Sequence, residues 1–150
     1  MKFILAGTSG FIGREILSQL LQKSSITSLI VLSRRPLPEL AARSSRIKVI
    51  VFENFLSYPD SLLQELAKAK ACLWALGGSN SNPTPAGKND EVEVQYPLAA
   101  ARALLAAAKL SGEENDNGKM RFLFISGTLS ERNQSKSLWF LEEGRRARVC

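Results

Sequence analysis

The sequence contains no histidine and only two cysteines, Cys72 and Cys150. Without histidine, catalytic triads built on an imidazole are excluded and the commonest zinc ligand is missing. Two distant cysteines and scattered carboxylates form no metal-binding pattern, so we expect no metal cofactor. Cys72 lies in an apolar stretch and Cys150 is the last residue. A structural disulfide is therefore not expected, and the cytoplasm is the default prediction for location.

Long hydrophobic runs are also lacking, so no transmembrane segment is expected. The apolar start at residues 2–6 is too short for a secretion signal and enters a glycine turn directly. A chain of 150 residues with 45% hydrophobic residues suits one globular domain. The net charge of +6 comes largely from residues 31–48 and 119–150. Because aromatic residues do not alternate with these charges, we expect a basic surface without specific nucleic-acid binding.

Apolar runs alternate along the chain with amphipathic stretches of helical length, which is typical of a parallel sheet covered by helices on both faces. The sequence therefore predicts a doubly wound α/β domain of the Rossmann type with about five strands. The first strand should be central, and a ligand should bind at the carboxyl ends of the strands, between the first and the fourth. The predicted strands are 2–6, 27–32, 47–52, 71–76 and 120–125, and the predicted helices are 12–23, 59–69, 91–110 and about 136–148, with a further helical turn near 37–43.

The strongest functional signal is a set of three glycines between the first strand and the first helix. The first glycine permits a sharp turn, the second lets the backbone approach a pyrophosphate, and the third lets the helix pack closely on the sheet. Phosphate charge would then face a helix N-terminus. The alternative is a strand–turn–helix unit without a ligand. The predicted dinucleotide-binding residues here are Gly7, Thr8, Ser9, Gly10, Phe11, Ile12 and Gly13.

The end of the second strand indicates which dinucleotide would bind. NAD-binding units of this kind have an acidic residue about 20 positions after the glycines, which binds the adenosine ribose. This chain has Ser33-Arg34-Arg35 there. Two guanidinium groups suit a 2′-phosphate, so we predict NADP, with NADPH preferred over NADH. The alternative is a solvated basic turn.

Four motifs together resemble those of a known family: Gly7–Gly13, Val31–Arg35, Ala75-Leu76-Gly77-Gly78 and Phe124-Ile125-Ser126-Gly127. The family is the atypical short-chain dehydrogenase/reductases, a superfamily of NAD(P)-binding Rossmann proteins. Within it, the chain is most similar to the Tat-interactive protein group and its fungal relatives. The resemblance implies mitochondrial association as an alternative to the cytoplasm.

The resemblance also implies roles for individual residues. Asn54 and Phe55 would lie beside the adenine, and Leu76 and Gly77 would line the cofactor further along. Ser126 or Thr128 would polarise a substrate carbonyl.

The family's Tyr-x-x-x-Lys pair is not found in this sequence. Trp139 and Glu143 occupy the expected positions. Tryptophan cannot transfer a proton, and a glutamate has the opposite charge to the lysine that would activate a tyrosine.

Three functional hypotheses follow. The first is an NADP(H)-binding protein that binds or senses the nucleotide without standard catalysis. The second is an NADPH-dependent reductase with an unconventional proton donor, and the third is an interaction protein that retains only the fold. Family members continue into a substrate-binding portion, which we expect to be missing here. The fifth strand, Arg121–Ile125, would then be an apolar edge for a homodimer or a protein partner.

Overall fold

The computed structural model of the chain describes residues 1–77, 91–110 and 120–126. Its strands are β1 (Lys2–Ala6), β2 (Ser28–Ser33), β3 (Ile47–Val51), β4 (Ala69–Trp74) and β5 (Arg121–Phe124). Its α-helices are α1 (Phe11–Gln22), α2 (Pro38–Ala41), α3 (Asp60–Leu66) and α4 (Tyr96–Leu110), and a π-helical segment, Glu91–Gln95, leads into α4.

The five strands form one parallel sheet in the order β3-β2-β1-β4-β5. The central strand β1 pairs with β2 on one side and with β4 on the other, so that Leu5 lies between Val31 and Leu73. The chain order reverses between β1 and β4, which is where such sheets bind ligands. The predicted doubly wound fold and its central first strand are confirmed.

Apolar side chains cover both faces of this sheet because successive strand residues point to opposite faces. Leu5 belongs to a cluster that includes Leu17 of α1, whereas Ile4 and Ala6 belong to a second cluster. That second cluster contains the buried faces of α3 and α4. Helices therefore pack on both faces, as predicted.

The junction between α3 and β4 differs most from the predicted boundaries. Helix α3 ends at Leu66 and β4 begins at Ala69, two residues before the predicted start of that strand. Lys68 makes the turn with a φ of 62°, a conformation uncommon outside glycine. The Lys2 ammonium group donates hydrogen bonds to the carbonyls of Glu65, at 3.1 Å, and Ala67, at 2.8 Å, and so satisfies the end of the helix.

The predicted helix 91–110 is present, but its first five residues are π-helical. Strand β5 has β4 as its neighbour in the described sheet, with Phe122 and Phe124 packed against the core and Leu123 44% exposed. Association through this strand stays a prediction. The predicted helix 136–148 lies outside the described residues.

Aromatic rings fill the core beneath the carboxyl ends of β3 and β4. Phe55 is central, with ring centroids 5.8 Å from Trp74 and 5.6 Å from Tyr96. The ring centroids of Phe52 and Tyr58 are 5.4 Å apart. The buried Tyr58 hydroxyl has no hydrogen-bond partner among the described residues. Burial, together with the nearby Cys72, raises the pKa of the Tyr58 hydroxyl.

We expect Tyr58→Phe to leave the free energy of unfolding at pH 7 unchanged or to raise it by about 1 kcal/mol. The ring stays in place while an unpaired buried hydroxyl is removed. Urea unfolding followed by circular dichroism measures this. A loss of more than about 1 kcal/mol would show that the hydroxyl has a stabilising partner.

The same variant should also change how the free energy of unfolding depends on pH. In the unfolded chain, tyrosine ionises near pH 10, whereas the raised pKa keeps Tyr58 protonated to higher pH in the folded protein. The folded state therefore loses stability above about pH 10, by up to ~1.4 kcal/mol per pH unit for one group. Tyr58→Phe should show a shallower decline. Burial also raises the pKa of Cys72 to about 12, and this contribution is common to both proteins.

Candidate dinucleotide-binding site

The residues predicted to bind the dinucleotide follow the strands of the sheet at its carboxyl edge. The glycine motif follows β1, Arg34 and Arg35 follow β2, and Asn54 and Phe55 follow β3. Leu76 and Gly77 follow β4. Because the strands are parallel, all of these segments leave the sheet at the same edge.

The turn after β1 depends on two glycines in direct contact. Gly7 has a φ of 92°, and a Cβ there would lie 2.5 Å from the carbonyl carbon and oxygen of Ala75. A Cβ on Gly13 would overlap the carbonyl of Gly7. Gly13 is buried in the first turn of α1, so this glycine allows the helix to lie against the turn. The turn and the close helix packing therefore both require glycine.

Gly10 is different, because nothing in the described structure requires glycine there. Its φ is −82°, which any residue adopts, and an added Cβ would approach only the Gly7 carbonyl oxygen, at 3.4 Å. Gly10 precedes α1, and the first helical hydrogen bond runs from the Arg14 N–H to the Gly10 carbonyl at 3.1 Å. The N–H groups of the three residues between them point out of the helix start, the usual binding position for an anion.

The side chains of this turn differ in exposure. Thr8 is buried, whereas Ser9 is exposed and its carbonyl accepts a hydrogen bond of 3.1 Å from the Arg14 guanidinium. Phe11 is 88% exposed and Ile12 is 51% exposed. Two apolar side chains therefore stand in solvent at the start of α1, next to the predicted pyrophosphate position.

A serine-stabilised turn presents the two arginines after β2. The Ser33 hydroxyl donates a hydrogen bond of 2.7 Å to the Arg35 carbonyl and accepts one of 3.1 Å from the Arg35 N–H. Both Arg34 and Arg35 are exposed. The turn fixes the backbone while both guanidinium groups stay accessible to an anion.

The two residues of interest after β3, Asn54 and Phe55, differ in burial. Asn54 is exposed, and its side-chain oxygen accepts a hydrogen bond of 3.0 Å from the Leu56 N–H. Phe55 is 0% exposed, with its ring stacked on Tyr96. The Phe55 ring therefore packs in the core beneath the site. The position of Asn54 and Phe55 beside an adenine base stays a prediction.

Two acidic residues and a tyrosine that the sequence analysis did not select also lie at this edge. Glu93 is buried, and its Oε1 atom lies 3.7 Å from the position of a Cβ on Gly77. Glu91 accepts a hydrogen bond of 2.6 Å from the Tyr96 hydroxyl. This bond raises the pKa of Tyr96, and the charge of Arg34 lowers it by a smaller amount. The signal available in the sequence was the pair of glutamates directly after the glycine- and proline-rich loop.

Of the predicted catalytic residues, Ser126 is described and exposed, two residues after β5. Thr128, Trp139 and Glu143 lie outside the described residues. Within the described ranges, no group of three His, Cys, Asp or Glu residues could hold a metal ion. No helix in those ranges is long and apolar enough to cross a membrane.

No protein-family model matches the sequence. The chain is 33% identical over 129 residues to the leucinostatins biosynthesis cluster protein T of Purpureocillium lilacinum. The match covers 84% of this chain and 42% of that protein, so the chain spans less than half the length of this relative.

Solved structures share the fold. The putative carbonyl reductase Sniffer of Caenorhabditis elegans matches with a TM-score of 0.69 and 19% identity, over 98% of this chain and 73% of that one. A short-chain dehydrogenase/reductase from Burkholderia vietnamiensis matches with a TM-score of 0.60 and 21% identity, over 98% of this chain and 71% of that one. The Bordetella bronchiseptica enzyme WbmG, solved in complex with NAD, matches with a TM-score of 0.60 and 16% identity, over 91% of this chain and 40% of that one. The chain therefore has the fold of short-chain dehydrogenase/reductases.

We expect alanine substitutions to show which of the three glycines the fold requires. Gly7→Ala and Gly13→Ala should each lower the free energy of unfolding by about 2 kcal/mol or more, because each Cβ overlaps backbone. Gly10→Ala, the matched control, should cost about 1 kcal/mol or less. Thermal unfolding measures all three. Equal losses at Gly10 and Gly13 would contradict the described packing.

Proposed function

We propose that this chain belongs to the short-chain dehydrogenase/reductase superfamily and binds NADP(H) at the carboxyl edge of its sheet, binding or sensing the nucleotide without standard catalysis. The observation that carries the proposal is Gly10. This residue has an ordinary φ and open space beside it, so the packing of the fold does not require glycine there, whereas close approach of a ligand would. A pyrophosphate on the first N–H groups of α1 is that ligand.

The selectivity for NADP(H) is assigned to the two exposed arginines after β2. A 2′-phosphate brings negative charge and several acceptor oxygens to this point, which guanidinium groups bind through charge-assisted hydrogen bonds. Asn54, exposed after the neighbouring β3, is the residue that would bind the adenine amino group. Leu76 and Gly77 would line the cofactor beyond β4.

A working reductase is the second candidate, and the position of Ser126 favours it. This exposed serine follows β5 at the same edge as the proposed cofactor site. A hydroxyl there could polarise a substrate carbonyl. The similar fungal protein is named for a biosynthesis cluster, which fits an enzyme of a biosynthetic route. The narrower resemblance to the Tat-interactive group and a cytoplasmic location stay predictions.

We expect isothermal titration calorimetry to show tighter binding of NADPH than of NADH. One additional charge-assisted hydrogen bond corresponds to about 1.5–3 kcal/mol, or roughly ten- to a hundredfold in affinity. Replacing both Arg34 and Arg35 with alanine should remove most of this difference. Arg43→Ala, which removes an exposed arginine from the same basic stretch, is the control and should retain it.

Gly10→Val completes the experiment. It should abolish binding of both nucleotides, since the side chain would occupy the pyrophosphate position, while the circular dichroism spectrum stays that of the wild type. Equal affinities of the wild type for NADPH and NADH would contradict the assignment of Arg34 and Arg35. Normal binding by Gly10→Val would contradict the pyrophosphate position.

Catalysis is tested separately with a panel of carbonyl compounds and NADPH, followed by absorbance at the nicotinamide band. We expect no turnover, because the sequence has no Tyr-x-x-x-Lys pair. NADPH oxidation by the wild type that is lost in Ser126→Ala, with nucleotide affinity retained, would instead establish the reductase hypothesis. Ser130→Ala, which removes a hydroxyl from the same stretch of sequence, is the control.

A further inference from the structure

A groove of about 340 Å³ lies between the loop after β3, helix α3 and helix α4. This volume is at the lower end of the range found for small-molecule sites, about 300–1,000 Å³. None of the residues that line the groove is among those assigned to the nucleotide. The lining residues are Leu56, Tyr58, Leu63, Ala99, Arg102 and Ala103.

Most of the groove wall is apolar. Ala99 and Ala103 are one turn apart on the same face of α4, and their small side chains leave space beside Leu63 of α3. Leu56 also lines the groove, with its side chain 48% exposed. Its backbone is held in place by the hydrogen bond of 3.0 Å from the Leu56 N–H to the Asn54 side chain. An apolar ligand in the groove would remove this exposed surface from water, which favours binding.

Of the described residues that line the groove, Arg102 alone carries a charge. Its side chain is exposed and forms neither an ion pair nor a hydrogen bond with any described residue. Helix α4 contains no acidic residue that could neutralise this charge. The guanidinium group is therefore available to an anion from outside the chain, and its shape suits a carboxylate, which it binds through two parallel hydrogen bonds.

We propose that this groove binds a small anionic amphiphile of the acyl carboxylate class. The apolar chain of the ligand lies against Leu63, Ala99 and Ala103, and its carboxylate pairs with Arg102. The combination of one unpaired cation with apolar walls carries this assignment. The site gives the chain a second ligand, and it does not depend on the proposed nucleotide binding.

Titration with sodium octanoate, below the concentration at which it forms micelles, tests the proposal. Nuclear magnetic resonance of protein with isotope-labelled alanine methyl groups shows where the probe binds. We expect saturable shifts of the Ala99 and Ala103 methyl signals. The methyl signals of Ala6 and Ala71, which are buried in the sheet, are the internal control and should not move. The absence of a saturable shift at Ala99 and Ala103 would overturn the proposal.

Arg102→Gln tests the carboxylate contact, with octanol as the neutral counterpart of octanoate. The variant should weaken octanoate binding by roughly three- to tenfold, and by less at high salt, while octanol binding stays unchanged. Arg43→Gln, which removes an exposed arginine that does not line the groove, is the matched control and should bind octanoate like the wild type. Unchanged octanoate binding by Arg102→Gln, or an equal loss for both probes, would overturn the assignment of the carboxylate.

Ala99→Leu tests the position of the apolar chain, because the larger side chain fills the groove. It should abolish binding of both probes. Ala101→Leu makes the same change at a half-buried position of α4 that does not line the groove, and it should retain binding. Thermal unfolding shows whether each variant is folded. Normal octanoate binding by folded Ala99→Leu would overturn the proposed site.

A final addition of NADPH separates the groove from the nucleotide site. The shifts that octanoate causes at Ala99 and Ala103 should persist when NADPH is added. Displacement of octanoate by NADPH would overturn the proposal, since the groove would then belong to the nucleotide site. Shifts of the same signals with protein concentration alone would also overturn it, because a second copy of the chain would then cover the groove. The proposed function is measured with nucleotide alone and stands or falls separately.

Discussion

The close contact between Gly13 and the Gly7 carbonyl is the constraint on which the rest of the site depends. It holds the first turn of α1 against the end of the central strand β1, with no space for a side chain between them. The start of α1 consequently lies at the carboxyl edge of the sheet. Its unpaired N–H groups and the partial positive charge of the helix N-terminus are thereby directed to the place where the chain order reverses.

The parallel sheet then adds charged residues from distant parts of the sequence to the same edge. Arg34 leaves β2 through a turn fixed by the Ser33 hydroxyl, and Glu91 arrives on the π-helical segment before α4. The Tyr96 hydroxyl donates a hydrogen bond to Glu91, and the Tyr96 ring stacks on Phe55 in the core. The buried aromatic rings thus fix the position of groups nearer the surface. A change in their packing would move Tyr96 and the Glu91 carboxylate to which it is hydrogen-bonded.

The sequence predicted the parts of this arrangement that depend on local patterns. Apolar runs and glycine spacing were enough for the five strands, the central position of β1 and the turn at Gly7. The early start of β4 was missed, because it depends on a positive φ at Lys68 and on Lys2 binding carbonyls more than 60 positions away. The burial of Phe55 depends on rings from other elements. The pair of glutamates after the loop is visible in the sequence, but the π-helical turn that carries Glu91 has no signature in helical periodicity, so the hydrogen bond of Glu91 to Tyr96 was not predicted.

A crystal structure of the protein grown with NADPH tests the central claim most directly. The account predicts the pyrophosphate beside Gly10, within hydrogen-bonding distance of the first N–H groups of α1. It also predicts the 2′-phosphate against Arg34 or Arg35. Nucleotide bound elsewhere, or a carboxyl edge empty of nucleotide at saturating NADPH, would contradict it.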